Sequence, residues 1–297
     1  MLEEVKCNIC GCESHQILYK STNQSEDKSK YLITESLPEK PRQIVKCNEC
    51  GLIYANYVKS PEELNLFYIN MSDEDYKNEE KGRRISAGKI LKRLKKFNKT
   101  GRILDVGCAT GFLLDEARKG GWEAHGVELS KWCVDYAKKI LSLDIFCGEL
   151  KDAHFKDGFF DAIVLNDVIE HLPDPKNALK EIRRLMKPDG IICINTPDID
   201  SLVSRLLRAR WWGINQAHLF YFTKETLFKM LNSAGFAPFE CIRHARTFSF
   251  NYWVFRFRNY NTGIYKTLKF LADHSALGSR LFTINTADQI EVYAKTV

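Results

Sequence analysis

The stretch "GRILDVGCATGF" (101–112) contains the pattern that decides the fold of this chain. The apolar run 102–106 predicts a buried strand, and a helix is predicted to begin directly after Gly111. Asp105 lies at the end of that strand, and Gly107 and Gly111 would let the backbone come close to a bound molecule. The stretch therefore predicts a strand, a tight turn and a helix, with a ligand at the turn.

The next predicted strand, 122–127, ends at a second acidic residue, Glu128. It follows Asp105 by 23 residues, close to the spacing of about 20 residues between a glycine-rich loop and a ribose-binding acid. In a parallel βαβ unit both acids would lie at the carboxyl edge of the sheet, where open α/β sheets bind ligands. Because an acid at that edge can accept both hydrogens of a ribose diol, the pair favours a cofactor pocket over an ordinary turn.

The order D-x-G-C-A-T-G (105–111) resembles motif I of class I S-adenosylmethionine-dependent methyltransferases. Three further stretches resemble the same family in order and spacing: "GVELS" (126–130), the run 148–175, and "EIRRLMKPDGIICINTP" (181–197). The resemblance covers about residues 84–240. It implies an α/β fold, a Rossmann-like seven-stranded methyltransferase sheet with helices on both faces. Ala109 departs from the family pattern, because many relatives have a second glycine there.

The resemblance also implies that S-adenosylmethionine is the cofactor. Its methionyl part is expected at the glycine turn, its ribose at the end of the second strand, and its adenine at the loop after the third. The expected contacts are Asp105 and Gly107 at the methionyl part, with Cys108, Gly111 and Phe112 beside them; Glu128 and Leu129 at the ribose; Glu149 and Leu150 at the adenine; and Asn166 and Asp167 at the end of the fourth strand.

Two C-x-x-C-G knuckles near the N-terminus predict a structural zinc site. They supply four thiolates, Cys7, Cys10, Cys47 and Cys50, which suit tetrahedral Zn²⁺. The alternative is a set of free thiols, and Cys12 is interpreted as a spare. The polar segment 21–30 between the knuckles is predicted to be a loop or hairpin tip.

These patterns divide the chain into a zinc-ribbon domain (1–58), a helical linker or cap (59–100) and an S-adenosylmethionine-binding methyltransferase domain (101–297) with an insertion at 243–285.

From 81 to 102 there are ten Lys or Arg and no acids, which favours a solvated helix face or, alternatively, an anionic-substrate or membrane contact. The insertion mixes aromatic and basic residues. Packing or a dimer interface is expected there, with a peripheral membrane contact as the alternative.

A zinc ribbon followed by a methyltransferase domain is similar to the C-methyltransferases of nucleotide-linked deoxysugars. In that family a Tyr-Asp-Glu-His run follows the fifth strand, and here the matching run, 215–218, keeps only His218. His218 is predicted to be the general base, with Tyr221 as the next candidate. The run "EHLPDP" (170–175) is also similar to ubiquinone-type O-methyltransferases. That similarity leaves open whether Asp167, Glu170 and His171 bind a divalent ion.

The composition is that of an ordinary globular protein, with 44% hydrophobic and 28% charged residues. No apolar run long enough for a membrane span and no leader peptide are recognised, so a cytoplasmic location with reduced cysteines is expected.

The predicted function is methyl transfer to O or C of a small, sugar-type acceptor that is nucleotide- or lipid-linked. The alternatives are an O-methyltransferase of a phenol or prenylated quinone precursor, and a zinc-ribbon nucleic-acid-binding protein. No nucleic-acid partner is expected, and the chain is predicted to be a monomer or homodimer.

Overall fold

The computed structural model describes residues 2–21, 42–97, 100–258 and 260–297. Nearly all of the predicted hairpin tip at 21–30 lies outside these residues. The strands are β1 (His15–Tyr19), β2 (Ile44–Cys47), β3 (Ile53–Ala55), β4 (Arg102–Val106), β5 (Glu123–Glu128), β6 (Phe146–Cys147), β7 (Phe160–Asn166), β8 (Met186–Pro197), β9 (Phe220–Tyr221), β10 (Phe236–Arg243), β11 (Arg246–Ser249), β12 (Leu281–Ile284) and β13 (Gln289–Thr296).

Ten α-helices occur in these described residues. They are α1 (Pro61–Ile69), α2 (Glu74–Asn78), α3 (Glu80–Phe97), α4 (Phe112–Lys119), α5 (Lys131–Leu141), α6 (Pro175–Leu185), α7 (Leu202–Leu207), α8 (Lys224–Ser233), α9 (Phe250–Arg256) and α10 (Thr262–Asp273). No helix among them is long and apolar enough to cross a membrane.

Seven strands form the central sheet in the order β10-β13-β8-β7-β4-β5-β6. All neighbours are parallel except β13, which runs antiparallel to both β8 and β10. Alternate residues of β7 point to opposite faces: Ile163 and Leu165 join the core that contains α6 and α8, whereas Ala162 and Val164 join the core under α3 and α4. The predicted Rossmann-like sheet with helices on both faces is confirmed.

A smaller sheet, β1-β2-β3-β9, joins the N-terminal region to the methyltransferase core. Its last strand comes from the loop after β8, because Ile53 pairs with Tyr221 and Tyr54 with Phe220. The sheet thus crosses the predicted boundary at residue 58. The division into three segments stays a prediction, but the ribbon and the loop that contains His218 are one packed unit.

The insertion between β10 and β13 forms a hairpin of β11 and β12 with α9 and α10 between its strands. It packs on α3, where a Cβ atom at Gly82 would clash with the carbonyl oxygen of Thr247. The insertion therefore lies beside the N-terminal half of α3, at the edge of the sheet where the glycine turn is found.

Candidate active site

A pocket lies at the carboxyl ends of β4, β7 and β8. Its wall combines these strand ends with α2, α3, the start of α4 and the insertion. Six predicted cofactor residues line it, namely Asp105, Gly107, Cys108, Phe112, Asn166 and Asp167. The other lining residues are Tyr76, Arg83, Ser86, Ala87, Ile90, Leu113, Asn195, His244, Arg246, Phe248 and Gln289.

Asp105 contributes a carboxylate to the floor of the pocket. The side chain is only 4% exposed, and in the described part of the chain no group donates a hydrogen bond to it. Burial raises its pKa well above the usual range, and the charge of Glu128 adds to that shift. A buried carboxylate without a partner is costly, so this site suits a ligand with a cationic group such as an ammonium.

Glu128 holds the glycine turn from the neighbouring strand. Its Oε2 accepts the Ala109 N–H at 2.9 Å, and its Oε1 accepts the Ser130 N–H at 2.8 Å. Burial raises its pKa, and these N–H donors oppose the shift. Ala109 has φ +46°, in the left-handed region that favours glycine. The alanine at this position therefore strains the turn, and the Glu128 hydrogen bond helps to hold it.

Asp167 lies at the end of β7 in an unusual conformation. Its φ is +55°, its N–H donates to the Asn195 carbonyl at 2.9 Å, and Gln289 Nε2 donates to its Oδ1. The side chain is open to the pocket. Desolvation by the surrounding protein raises its pKa, and the nearby Arg246 and His244 oppose the shift. Backbone strain of this kind is concentrated at functional sites.

Four buried polar atoms of the pocket have no hydrogen-bond partner among the described residues. Two are acceptors, Asn195 Oδ1 and Gln289 Oε1, and two are guanidinium donors, Arg83 Nε and Arg246 Nε. Arg83 also stacks its guanidinium 3.5 Å from the ring centroid of Tyr76. Because buried polar groups are nearly always paired, these four atoms are available to bond a polar ligand or water in the pocket.

The remaining predicted cofactor residues do not line this pocket. Gly111 begins α4 with φ +82°, and Glu149 Oε1 accepts a hydrogen bond from Asn65 Nδ2 at 2.9 Å. Leu150 packs against the core that contains α6 and α8. The contact of Gly111 with the methionyl part, and those of Glu149, Leu150, Glu128 and Leu129 with adenosine, stay predictions.

Part of the basic run of α3 is paired within the protein. Arg84 pairs with Asp115 at 2.7 Å, Arg93 pairs with Glu291 at 2.8 Å, and Lys95 donates to the Gly120 carbonyl at 2.7 Å. Lys81, Lys92, Lys95 and Lys96 are exposed, in line with the solvated face predicted for part of this run, and the anionic or membrane contact stays a prediction. The charge count could not reveal these pairs, because their partners are distant in sequence.

His218 is buried beside a second histidine. It is 8% exposed, its Nδ1 lies 2.8 Å from the Gly213 carbonyl, and its ring centroid is 4.7 Å from that of His171. Burial, with the neighbouring His171, lowers its pKa well below the usual value. Neither His218 nor Tyr221 lines the pocket, and the Tyr221 hydroxyl donates to the Asn215 carbonyl at 3.3 Å. Their catalytic roles stay predictions.

The four predicted zinc ligands come together in the N-terminal ribbon. Cys7, Cys10, Cys47 and Cys50 are free thiols whose sulfurs all lie within 4.8 Å of one another. Gly11 and Gly51, with φ +76° and +81°, turn the chain after each knuckle. Such a group of four thiols fits a tetrahedral Zn²⁺ ion, which would hold the ribbon together.

The sequence analysis did not predict several residues of the pocket. Asn195 lies near the end of a stretch that resembles the fifth strand of the family, and Gln289 begins the last strand. His244, Arg246 and Phe248 come from the insertion, which brings them back over the strand ends. Asn195 could have been found from the sequence, because it is a polar residue at the carboxyl end of a predicted strand. The sequence of the insertion contains no comparable signal for His244, Arg246 or Phe248.

The sheet has a glycine turn and a buried acid at the end of β4, and a second acid at the end of β5. This arrangement is typical of α/β proteins that bind a nucleoside cofactor. The methyltransferase domain family matches residues 78–240, more than half of the chain. The chain therefore belongs to the methyltransferase domain family, and the resemblance to class I S-adenosylmethionine-dependent methyltransferases is confirmed.

Several curated relatives are similar over a shorter stretch. The ubiquinone biosynthesis O-methyltransferase of Alkalilimnicola ehrlichii is 33% identical over 103 residues, which cover 32% of this chain and 41% of the relative. An uncharacterised methyltransferase of Schizosaccharomyces pombe is 34% identical over 120 residues, covering 36% and 43%. The chain thus spans about two fifths of the length of these relatives.

A solved structure supports the fold. A chain in the complex that contains the Haloferax volcanii Trm112 methyltransferase activator superposes with a TM-score of 0.54, over 80% of this chain and 99% of that one. The two sequences are 15% identical, so the likeness concerns the fold alone.

Proposed function

We propose that the protein transfers a methyl group from S-adenosylmethionine to an oxygen or carbon of a small, sugar-type acceptor. The observation that carries the proposal is the set of four unpartnered polar atoms in the pocket, two acceptors and two donors. An acceptor with several hydroxyls can pair with all four, whereas an apolar acceptor would leave them buried without partners.

The glycine turn and Asp105 fit the cofactor. The carboxylate has the charge to receive the cofactor's ammonium group, and Gly107, with φ +68°, leaves backbone exposed at the turn. Glu128 is at the end of the adjacent strand, where a ribose diol is expected. S-adenosylmethionine, when bound, supplies an electrophilic methyl group. The residues of the chain bind it, orient it and exclude water from it.

The amide groups on the acceptor side are oriented by the protein. Asn195 Nδ2 donates to Asn166 Oδ1 at 3.0 Å, and Gln289 Nε2 donates to Asp167. Each amide therefore has its oxygen left over as an acceptor for a ligand hydroxyl. Arg83 adds positive charge on the same wall, which suits the phosphate of a nucleotide- or lipid-linked sugar, and Arg246, which pairs with Asp288 at 2.7 Å, still has its Nε free to donate.

A hydroxyl acceptor must lose its proton as the methyl group arrives. Asp167 is assigned this role, because its carboxylate is open to the pocket and is held there by the Gln289 Nε2 donor. His218, the base predicted from the sequence, lies outside the pocket lining.

An O-methyltransferase of a phenol or prenylated quinone precursor is the second candidate. It is favoured by the name of the similar Alkalilimnicola relative and by the aromatic side chains of Tyr76, Phe112 and Phe248 on the pocket wall. A flat aromatic acceptor could stack on these rings, but it would use fewer of the unpartnered polar atoms.

The two candidates are separated by methyl transfer from labelled S-adenosylmethionine to a panel of nucleotide sugars, polyprenyl-phosphate sugars and hydroxylated benzoates. We expect transfer to a sugar, with the Michaelis constant for that acceptor raised about tenfold or more in Gln289→Met. The matched control is Gln16→Met, which makes the same change on an exposed strand. Transfer to the benzoates alone would overturn the sugar assignment.

A further inference from the structure

We propose that Glu170, His171 and His218 form a second metal site that binds one divalent transition-metal ion, with Zn²⁺ as the ion of choice. One ligand atom from each residue lies within 4.8 Å of the others. The site is distinct from the four thiols of the ribbon, and it brings together two segments that are 47 residues apart in sequence, the turn after β7 and the loop before β9.

The carboxylate of Glu170 points to a missing cation. Glu170 is 1% exposed. Its Oε2 accepts the Thr196 hydroxyl at 2.9 Å, but its Oε1 has no hydrogen-bond partner among the described residues. That oxygen faces His171 Nε2 at 4.0 Å, too far for a hydrogen bond and wide enough for a shared ion. Since an unpaired buried carboxylate oxygen is costly, a metal ion would remove the penalty.

Both imidazoles are oriented by their other nitrogen. His171 Nδ1 lies 3.0 Å from the Ala217 carbonyl, and His218 Nδ1 lies 2.8 Å from the Gly213 carbonyl. A carbonyl can only accept, so these contacts place the proton on each Nδ1 and leave each Nε2 with a free lone pair. The Tyr68 hydroxyl, 3.0 Å from His171 Nδ1, can accept from the same N–H. Metal-binding histidines are typically fixed in this way, with the second ring nitrogen donating to a backbone carbonyl.

The ligand types select the metal. Two imidazoles and one carboxylate suit Zn²⁺ with an open fourth position, or a related transition metal, whereas Mg²⁺ and Ca²⁺ prefer oxygen ligands. The site therefore assigns the His218 lone pair to a metal ion and not to the acceptor's proton. The ion would also fix the loop whose β9 strand completes the ribbon sheet.

Zinc content of the full-length protein, purified without chelator, tests the site. We expect two zinc ions per chain, one at the thiols and one at the new site. His218→Ala and Glu170→Gln should each lose one, while Cys47→Ser should keep the ion at the new site. The matched control, His154→Asn, changes an exposed histidine outside the cluster and should keep both ions.

Cobalt substitution identifies which site is filled, even where a variant is less stable. Cobalt at the thiols gives intense thiolate charge-transfer bands, and cobalt at the new site adds visible bands without them. We expect a second equivalent of Co²⁺ to bind wild type but not Glu170→Gln, which keeps the shape of the side chain. A single equivalent in wild type, unchanged in His218→Ala and Glu170→Gln, would overturn the proposal.

Discussion

Gly82 of α3 lies directly against the backbone of Thr247 in β11, and this contact seats the insertion over the pocket. A Cβ atom at position 82 would clash with the Thr247 carbonyl oxygen and would lie 3.2 Å from Phe248 Cα. Backbone atoms cannot move aside as a flexible side chain can. The contact therefore fixes the position of Phe248 and Arg246 on the pocket wall.

Gly82→Ala is expected to displace β11 and to lower the free energy of unfolding by about 1–3 kcal/mol, as overpacking typically does. Acceptor turnover should fall more than cofactor affinity, because the insertion supplies the acceptor side of the pocket. Gly88→Ala in the same helix is the control, since a Cβ there has nothing within 4 Å. Equal urea unfolding curves for the two variants would show that the contact is loose.

The sequence predicted the central sheet well because its signals are local. The apolar run of β4, the glycine turn and the capping Thr223 of α8 each act within a few residues. The pocket could be predicted only in part. Arg83 and Arg246 are brought together by packing between α3 and the insertion, and no short-range pattern encodes that contact.

The loop with His218 shows the same limit. The resemblance predicted its place after the fifth strand, but not that β9 pairs with the ribbon or that His218 packs on His171. Both contacts join segments far apart in the chain. Such contacts have an entropic cost of loop closure, which tertiary packing offsets. A local sequence pattern does not predict that packing.

Glu128→Gln should weaken the binding of S-adenosylhomocysteine by about ten- to a hundredfold. The carboxylate accepts one backbone N–H from Ala109 in the glycine turn and one from Ser130 before α5, and an amide can accept with only one oxygen, so about 1–3 kcal/mol is lost. Titration calorimetry measures the change. Glu123→Gln, at the exposed start of β5, is the control, and the same affinity in both variants would contradict a role of Glu128 in cofactor binding.

Asp115 links α4 to α3 and should give the fold a pH dependence in acid. Burial raises its pKa, but hydrogen bonds from Lys119, Arg84 and Arg118 outweigh burial and lower it to about 2. Because the folded pKa lies below the ordinary value of 3.8, the stabilisation is present above about pH 4 and is lost as the pH falls toward 2.

Asp115→Asn is therefore expected to cost about 1–2 kcal/mol at neutral pH, with little difference from wild type near pH 2–3. Urea unfolding at neutral and acid pH measures the two differences. The control is Asp135→Asn, which removes a half-exposed carboxylate paired with Lys131 at 3.7 Å. It should unfold like wild type at both neutral and acid pH. A constant difference at all pH values would mean that the ion pairs are not the cause.

Cys47→Ser should release the zinc ion of the ribbon and loosen its sheet while the central sheet stays folded. Since β3 pairs with β9, amide exchange should quicken at Tyr54 and Phe220 together. Cys12→Ser changes a cysteine outside the cluster and should keep the zinc and the slow exchange. Faster exchange at Tyr54 alone would contradict a shared sheet.

The affinity of Asp105→Asn for S-adenosylhomocysteine tests most directly whether the pocket at the glycine turn holds the cofactor. In the described structure the Asp105 carboxylate accepts no hydrogen bond from the protein, so the amide should leave the fold at least as stable as wild type. The lost charge should nevertheless weaken binding about ten- to a hundredfold, the cost of a charged hydrogen bond. Asp144→Asn, on the surface, should bind as wild type does. Micromolar or tighter binding by wild type with a loss confined to Asp105→Asn is the predicted result; equal affinity in all three proteins would contradict it.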